Sequence, residues 1–345
     1  MVANEQDWTA AGPHEVAQGL YRIPLPLPIA GLAAVNSYLA EGPDGLVYVD
    51  PGWATEESEA EVIRVLRVLG YSLADVRTTV CTHHHWDHYS QANRWRETIG
   101  SRQLIGREER HSVLGYSVDA PVRYPTQVAQ LREEGAADLA DAIASMGVPD
   151  LETAMGYHAP DGWLDDGEAI PLAEGAFEVI ATPGHTRGHV ILRHTSSGAL
   201  ITGDHVLPRI TPSIGFEWSP EPSPLSSFLA PLDATLALAD GLLLPAHGSV
   251  LPGTHERVRE QIAHHEDRLA EVLGLVADGL DTAYAIAASM RWTRRRHALD
   301  ELAVEHRMIA TGEIRSHLEV LRERGAVIVA PEGARRYLPA QPLRI

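Results

Sequence analysis

The sequence predicts an α/β protein, with a large domain over residues 1–253 and a small helical one over residues 254–345. Three observations carry that reading. Residues 19–81 alternate apolar, strand-like runs with one strongly amphipathic helical run. Four more short apolar runs, each ending in a polar loop, follow between residues 176 and 248. From about residue 254 the pattern changes to the period of amphipathic helices.

Taken in order, "GLYRIPL", "VNSYLAE" and "GLVYVD" are apolar stretches bounded by Gly, Pro and Asp, and each is expected as a strand. "TEESEAEVIRVLRVLG" is expected as a helix: Thr55 can cap it, acids fill its first turn, apolar residues stand at 62, 63, 65, 66 and 69, and Gly70 stops it. "VRTTVC" supplies the next strand, the histidine-rich stretch after it a loop, and "SQANRWRETIG" the following helix. "AFEVIAT", "HVILRH", "GALITG" and "GLLLPAHG" are the strands of a second sheet segment. Residues 107–152 are mostly helical in pattern and read as an insertion, a cap beside the site. Residues 207–224 hold five prolines, which fix φ and remove backbone donors, so a stiff loop is expected there. Beyond residue 254, "HERVREQIAHHEDRLAEVLGLVADG", "TAYAIAASMRW" and "GEIRSHLEVLRERG" are helices, and "AVIVAPEGARRYLP" is a hairpin turning at "PEGA". Helices followed by a two-stranded wing suggest a winged-helix domain.

Composition narrows the class. A chain of 345 residues with 44% hydrophobic content can bury a sizeable core. No run of 18 or more apolar residues occurs, and "MVANEQDWTAAGPHEV" has neither a basic start nor an apolar stretch. Neither a membrane span nor a secretory signal is expected, and the protein reads as cytoplasmic. The single cysteine, Cys81, lies in the strand before the histidines and reads as a buried structural thiol. All 28 basic residues are arginine, which points to base composition rather than function. Residues 256–345 carry 14 Arg and 14 Asp+Glu, so the formal charge of −19 falls entirely on residues 1–255. Such a field repels polyanions and disfavours nucleic acid as the partner.

Residues 82–93, "THHHWDHYSQAN", carry four histidines and one aspartate. Crowded neutral imidazoles gain nothing from packing and repel one another once protonated, so they need many hydrogen-bond partners or a metal. His83 and His85 are two apart and can share a face; Asp87 and His88 point elsewhere, which suits two neighbouring metals. His185 in "TPGHTRGH", Asp204 in "TGDH" and His247 in "PAHG" stand at later strand ends, each flanked by glycine. These groups supply the donors of a dinuclear site.

The order "THHHWDH", "PGHTRGH", "GDH", "AHG" resembles the metallo-β-lactamase superfamily, in its glyoxalase II-like and lactonase-like branches, over roughly residues 15–253. The resemblance implies an αββα sandwich with the site at the edge between the sheets. It implies that His83, His85 and His185 hold one metal, that Asp87, His88 and His247 hold the other, and that Asp204 bridges them. It also makes Asp50 a support for the histidine loop. The expected metals are two zinc ions, with iron or manganese as substitutes. The tail looks like the winged-helix domain of members related to the mammalian lactamase-like endoribonuclease. "YSQA" stands where many members have a Gly-Gly pair, a departure that bears on the substrate.

The remaining histidines are read more modestly. His84 is expected to face away from the ligands, His189 to hydrogen-bond near the site, and His205 to sit behind it or face the substrate. Trp86 and Tyr89 read as packing and pocket wall, and Tyr116, Tyr124, Phe216 and Trp218 as a partly apolar pocket. The expected activity is hydrolysis of a thioester, ester or lactone of a small organic acid by metal-bound hydroxide, with Asp87 and Asp204 as the catalytic carboxylates. The partner is then a small molecule, with no membrane and with a homodimer allowed for. Two alternatives are a phosphodiesterase or endoribonuclease, and a ligand-sensing winged-helix regulator. "RWTRRRH" at 291–297 is the one basic run that can touch nucleic acid, and is expected to be a solvated helix end.

Overall fold

The computed structural model describes residues 8–29, 32–116, 122–147, 157–331 and 335–340. Strands β1 (His14–Ala17), β2 (Leu20–Ile29), β3 (Leu32–Gly42) and β4 (Gly45–Val49) form an antiparallel meander. Helix α1 (Glu56–Leu69) then leads to β5 (Val76–Cys81) and α2 (Trp86–Ile99) to β6 (Arg102–Gly106); β4, β5 and β6 pair in parallel, as helical crossovers require. The insertion contributes α3 (Arg110–Val113), α4 (Pro125–Glu133) and α5 (Ala137–Ala144) before β7 (Gly162–Leu164) closes the seven-stranded sheet beside β6. Residues 117–121 and 148–152 of that insertion lie outside the described residues.

A second sheet has five strands in the order β12 (Leu243–Pro245), β11 (Leu200–Gly203), β10 (Val190–His194), β9 (Ala176–Ala181), β8 (Ala169–Pro171). Helix α6 (Pro224–Ala237) connects β11 to β12. The tail follows as α7 (His255–Ala277), α8 (Ala283–Ser289), α9 (Val304–Glu323) and the antiparallel pair β13 (Val327–Val329) and β14 (Tyr337–Pro339). Residues 332–334 of the expected "PEGA" turn lie outside the described residues.

The period-two alternation of strands explains the layering. On β3 and β4, Tyr38, Ala40, Val47 and Val49 face Phe177, Val179, Leu192 and Ile201 of the second sheet. Their neighbours Val35, Leu39, Leu46 and Tyr48 face the other way, against Val62, Val65 and Leu66 of α1 and Trp95 of α2. Leu225, Phe228 and Leu232 of α6 join Leu243 and the apolar face of α7 in a further core. The order of layers is therefore helix, sheet, sheet, helix, as the resemblance implied. Among the described residues no helix is long and apolar enough to cross a membrane.

The tail buries its apolar faces in that same outer core, which runs from Val206 and Leu225 through Val258 and Val272 to Ile314 and Leu318. Helix α9 is enclosed on most of its circumference, with Met308 packed on the insertion beside Val128, Leu131 and Leu139. Buried Glu134, at the end of α4, accepts from the Tyr337 hydroxyl at 3.1 Å and lies 3.5 Å and 3.4 Å from Arg315 and Arg335. The insertion and the tail thus share one ionic seam.

Two expectations need correction, and one helix stands where none was expected. Helix α2 starts at Trp86, so Asp87 and His88 belong to its first turn rather than to a loop. A carboxylate is favoured there because the unpaired N–H groups of a helix start carry partial positive charge. Helix α6 went unread because Pro231 lies inside it, while Pro224 sits at its start where proline is tolerated. "RWTRRRH" is a bridged turn and not a helix end: Trp292 and His297 pair, and Thr293 and Arg296 take positive φ.

Helix α1 shows the local logic as expected. Thr55 accepts a hydrogen bond from the Ser58 N–H at 3.2 Å, and Gly70 takes the left-handed conformation at φ 89°. Thr55→Ala should cost about 1 kcal/mol. Urea unfolding should show this as a lower midpoint at unchanged slope.

Candidate metal centre

The site lies at the edge where parallel strands end. Asp50 follows β4, Thr82 and His83 follow β5, Asp204 follows β11, His247 follows β12, and His185 and His189 lead into the antiparallel β10. Loops at this edge are free to converge, as they are in open α/β sheets generally. Backbone bonds stitch the two sheets together here: Val190 N–H to Thr82 C=O at 2.9 Å, and Asn36 N–H to Ala246 C=O at 2.6 Å.

The tautomer of each imidazole follows from its far-side partner. His85 Nε2–H donates to the Phe216 carbonyl at 2.8 Å, and His185 Nδ1–H to the Ser213 carbonyl at 2.6 Å. His83 Nδ1 lies 3.1 Å from the Thr82 hydroxyl, which spends its own proton on Asp50 at 2.8 Å. His247 Nδ1–H donates to the Ala34 carbonyl at 2.9 Å, and His88 Nδ1 stands 3.0 Å from Asp50. With those protons placed outward, the inward nitrogens of His83, His85 and His185 are bare lone pairs, and those of His88 and His247 are bare whenever the ring is neutral. His185 Nε2 is 3.3 Å from His83 Nε2 and 3.1 Å from His85 Nδ1, a contact that two lone pairs make only around a cation. The carboxylates complete the set. His247 Nε2 is 3.4 Å from both Asp87 and Asp204, and His88 Nε2 is 3.7 Å from Asp87. Asp204 reaches both halves, with Oδ2 3.5 Å from His185 and Oδ1 3.4 Å from His247.

His83, His85 and His185 therefore form one donor group, and Asp87, His88 and His247 a second. The inward Nε2 of His88 and of His247 and Asp204 Oδ1 are buried without a hydrogen-bond partner. Orphaned donor atoms of this kind fit divalent cations, and the residues present could hold two.

Electrostatics divides the site the same way. Burial, reinforced by the neighbouring imidazoles, drives His83 well below the usual range and takes His85 and His185 down to about 3, so this trio is neutral. Burial also opposes charge on His88, but Asp87, Asp50 and Asp204 outweigh it and raise His88 to about 10. Burial likewise works against the Asp87 charge, yet His88 and His247 hold that carboxyl below its ordinary value. Without a cation, then, a proton on His88 neutralises the acidic half.

Asp50 lies buried behind the histidine stretch. Its φ is 49°, a conformation unusual for a residue with a side chain. Its carboxylate accepts from Thr82 N–H at 2.7 Å and from the Thr82 hydroxyl, which fixes the start of the histidine stretch. His189 receives the Asp204 N–H at 3.1 Å and bonds Thr182 at 2.8 Å. His205 is fully buried with its ring centroid 5.0 Å from Phe228, turned from the cluster into the helical core. Tyr89 is core, bonding the His158 carbonyl at 2.7 Å, whereas Trp86 is half-buried and stacks on Tyr157 at 4.4 Å. Tyr116 and Trp218 extend this aromatic wall, with ring centroids 5.0 Å apart. Phe216 packs on both His85 and Tyr124. Cys81 is buried, and burial pushes its thiol well up.

Sequence reasoning missed Glu109 and Glu217. His84 turns away from the other histidines and pairs with the buried Glu109, near which Glu217 also lies. Burial, helped by Glu109, raises Glu217 to about 7. The one sequence signal was the glycine of "TRGH": a Cβ on Gly188 would lie 2.0 Å from the Glu109 backbone nitrogen, so only glycine admits the 107–109 turn there.

Residues 30–247 match the family model of the metallo-beta-lactamase superfamily. The chain belongs to that superfamily, whose members are in general hydrolases. It is 24% identical over 197 residues to the probable metallo-hydrolase YqjP of Bacillus subtilis, covering 54% of this chain and 56% of that protein. It is 29% identical over 169 residues to a hydroxyacylglutathione hydrolase of a Synechococcus species, covering 48% and 47%. The chain thus spans about half the length of these curated relatives. Among solved structures, it resembles the metallo-beta-lactamase family protein TTHA1429 of Thermus thermophilus at 28% identity and a TM-score of 0.76, covering 94% of this chain and 99% of that one. A beta-lactamase domain protein of Burkholderia ambifaria gives 25% identity and a TM-score of 0.73, with 95% of each chain covered.

Metal binding should be pH-dependent with a defined sign. The His88 proton is present at neutral pH and must leave before its nitrogen can bind a cation. Affinity for Zn²⁺ should therefore rise up to about tenfold per pH unit between neutrality and the His88 value. Calorimetry in buffers of different ionisation enthalpy should show the released proton.

Proposed function

We propose that this protein is a dinuclear metal-dependent hydrolase that cleaves a thioester, ester or lactone of a small organic acid. One observation carries the reading: five inward-facing imidazole nitrogens and the carboxylates of Asp87 and Asp204 meet at one point of the sheet edge. In this reading His83, His85 and His185 hold one cation, and Asp87, His88 and His247 the other. Asp204 lies between them, and Asp50 supports the set from behind. Zinc, iron and manganese all suit such donors, with zinc preferred. A pair of such cations supplies Lewis acidity and a water that ionises near neutral pH.

The chain's own groups do the rest. Asp87, held below the usual carboxylate range, is charged at neutral pH and orients the attacking water. Asp87 and Asp204 then carry its proton toward the leaving group. Trp86, Tyr116, Phe216 and Trp218 offer an aromatic wall beside His85, suited to the apolar part of a small acyl compound. The similarity to a hydroxyacylglutathione hydrolase supports a carbonyl substrate.

The second reading, phosphodiester cleavage, draws on the helices and terminal strand pair of the tail, which we read as winged-helix-like. Against it stand the acidic residues 1–255 and the enclosure of α9, which would have to enter a groove. We read the tail over residues 254–345 as a strut that holds the insertion over the site, and the partner as a small molecule.

Metal-loaded protein should turn over thioesters or lactones and leave bis(4-nitrophenyl) phosphate and RNA uncut. Turnover of only the phosphodiesters would replace this reading with the second. Asp87→Ala should lower kcat on the order of 10²- to 10⁴-fold while the circular dichroism spectrum stays native. Activity that survives both this change and removal of metal by chelation would refute the mechanism.

A further inference from the structure

We propose that Glu109 and Glu217 are positioning residues for one half of the centre only, fixing His83, His85 and His185 but not Asp87, His88 and His247. The proposal rests on the dinuclear reading above. Both carboxylates are buried, and all their oxygens have protein donors. Glu109 accepts from His84 Nδ1–H and from the Thr186 hydroxyl. Glu217 accepts from the Ser112 hydroxyl at 2.7 Å and from the Arg187 N–H at 2.8 Å.

The chain positions of those donors carry the argument. His84 stands between His83 and His85, and Thr186 and Arg187 directly follow His185. Phe216 precedes Glu217, and its carbonyl takes the His85 Nε2 proton. Each of the three imidazoles is thus one residue, or one hydrogen bond, from a group tied to this carboxylate pair. The insertion holds the pair from outside: Ser112 Oγ also accepts from Ser219 N–H at 3.1 Å, and Gln127 donates to the Glu217 carbonyl at 2.7 Å.

The other half rests on groups outside this pair. His88 faces Asp50, His247 is fixed by the Ala34 carbonyl, and Asp87 stands in the first turn of α2. A third cation at His84, Glu109 and Glu217 would have to strip the Thr186 and Ser112 hydroxyls from the carboxylates, so their geometry is that of a closed hydrogen-bond knot.

The test is a Co²⁺ titration of the metal-free full chain, followed by visible absorption and by metal content. His85→Ala and His247→Ala identify which equivalent belongs to which half. Glu109→Gln and Glu217→Gln should weaken the equivalent lost in His85→Ala by about 10- to 100-fold and leave the other within about twofold. Glu134→Gln, in the ionic seam between insertion and tail, should lower thermal stability and leave both equivalents unchanged. Should a buried Gln prevent folding, Ser112→Ala removes a single hydroxyl and should weaken the same equivalent. Equal weakening of both equivalents, no weakening in a folded variant, or the same split in Glu134→Gln would overturn the proposal. A wild-type protein that takes up fewer than two equivalents would sink the dinuclear reading itself, and is seen before any variant is made.

Discussion

The centre depends on where five imidazole protons sit. Four of the histidines give a proton to a group behind them, a backbone carbonyl for His85, His185 and His247 and the Thr82 hydroxyl for His83, while His88 Nδ1 faces Asp50 at 3.0 Å. Neutral imidazole has one N–H, so placing it outward leaves a bare lone pair inward. Converging lone pairs and carboxylates are repulsive without a cation and attractive around one. The fold's task is to hold this arrangement against its own repulsion.

The means are rigid and mostly backbone. The anchoring carbonyls of Ala34, Ser213 and Phe216 come from distant parts of the chain, yet each is set by nearby structure: Ala34 in β3, Ser213 and Phe216 in the proline-rich loop. Prolines in that loop lower the number of conformations it could otherwise take. Asp50 gives up a relaxed backbone conformation to brace Thr82 and His88 together. Strain concentrated beside a functional site is the usual pattern, and here its beneficiary is visible.

The acidic balance of residues 1–255 acquires a local meaning at the site. Asp50, Asp87 and Asp204 crowd around His88, and their combined field raises it to about 10. In the His83 trio burial outweighs the pull of Asp87 on His85 and of Asp204 on His185, and the three stay neutral. Two donor groups that both approach Asp204 thus differ in charge, while Asp50 stands behind both, at His88 directly and at His83 through Thr82. The tail and the insertion are joined to each other through Glu134.

Much of this was legible from residues alone. Period-two runs marked β2 to β5 and β9 to β12; Thr55 and Gly70 marked the ends of α1; and glycine-flanked histidines and aspartates at strand ends marked the donors, because those signals are local and need no knowledge of neighbours. Helix α6 was hidden by Pro231, and the start of α2 by the histidines that precede it. Glu109 and Glu217 carried no local signal, since a glutamate in "REER" or "FEW" looks like any solvated acid until the fold buries it. Sequence by itself determined which atoms can bind a cation, through the chemistry of its side chains. Only the tertiary structure decided which nitrogen of each imidazole is free to do so, because that choice belongs to a hydrogen-bond partner up to 213 residues away.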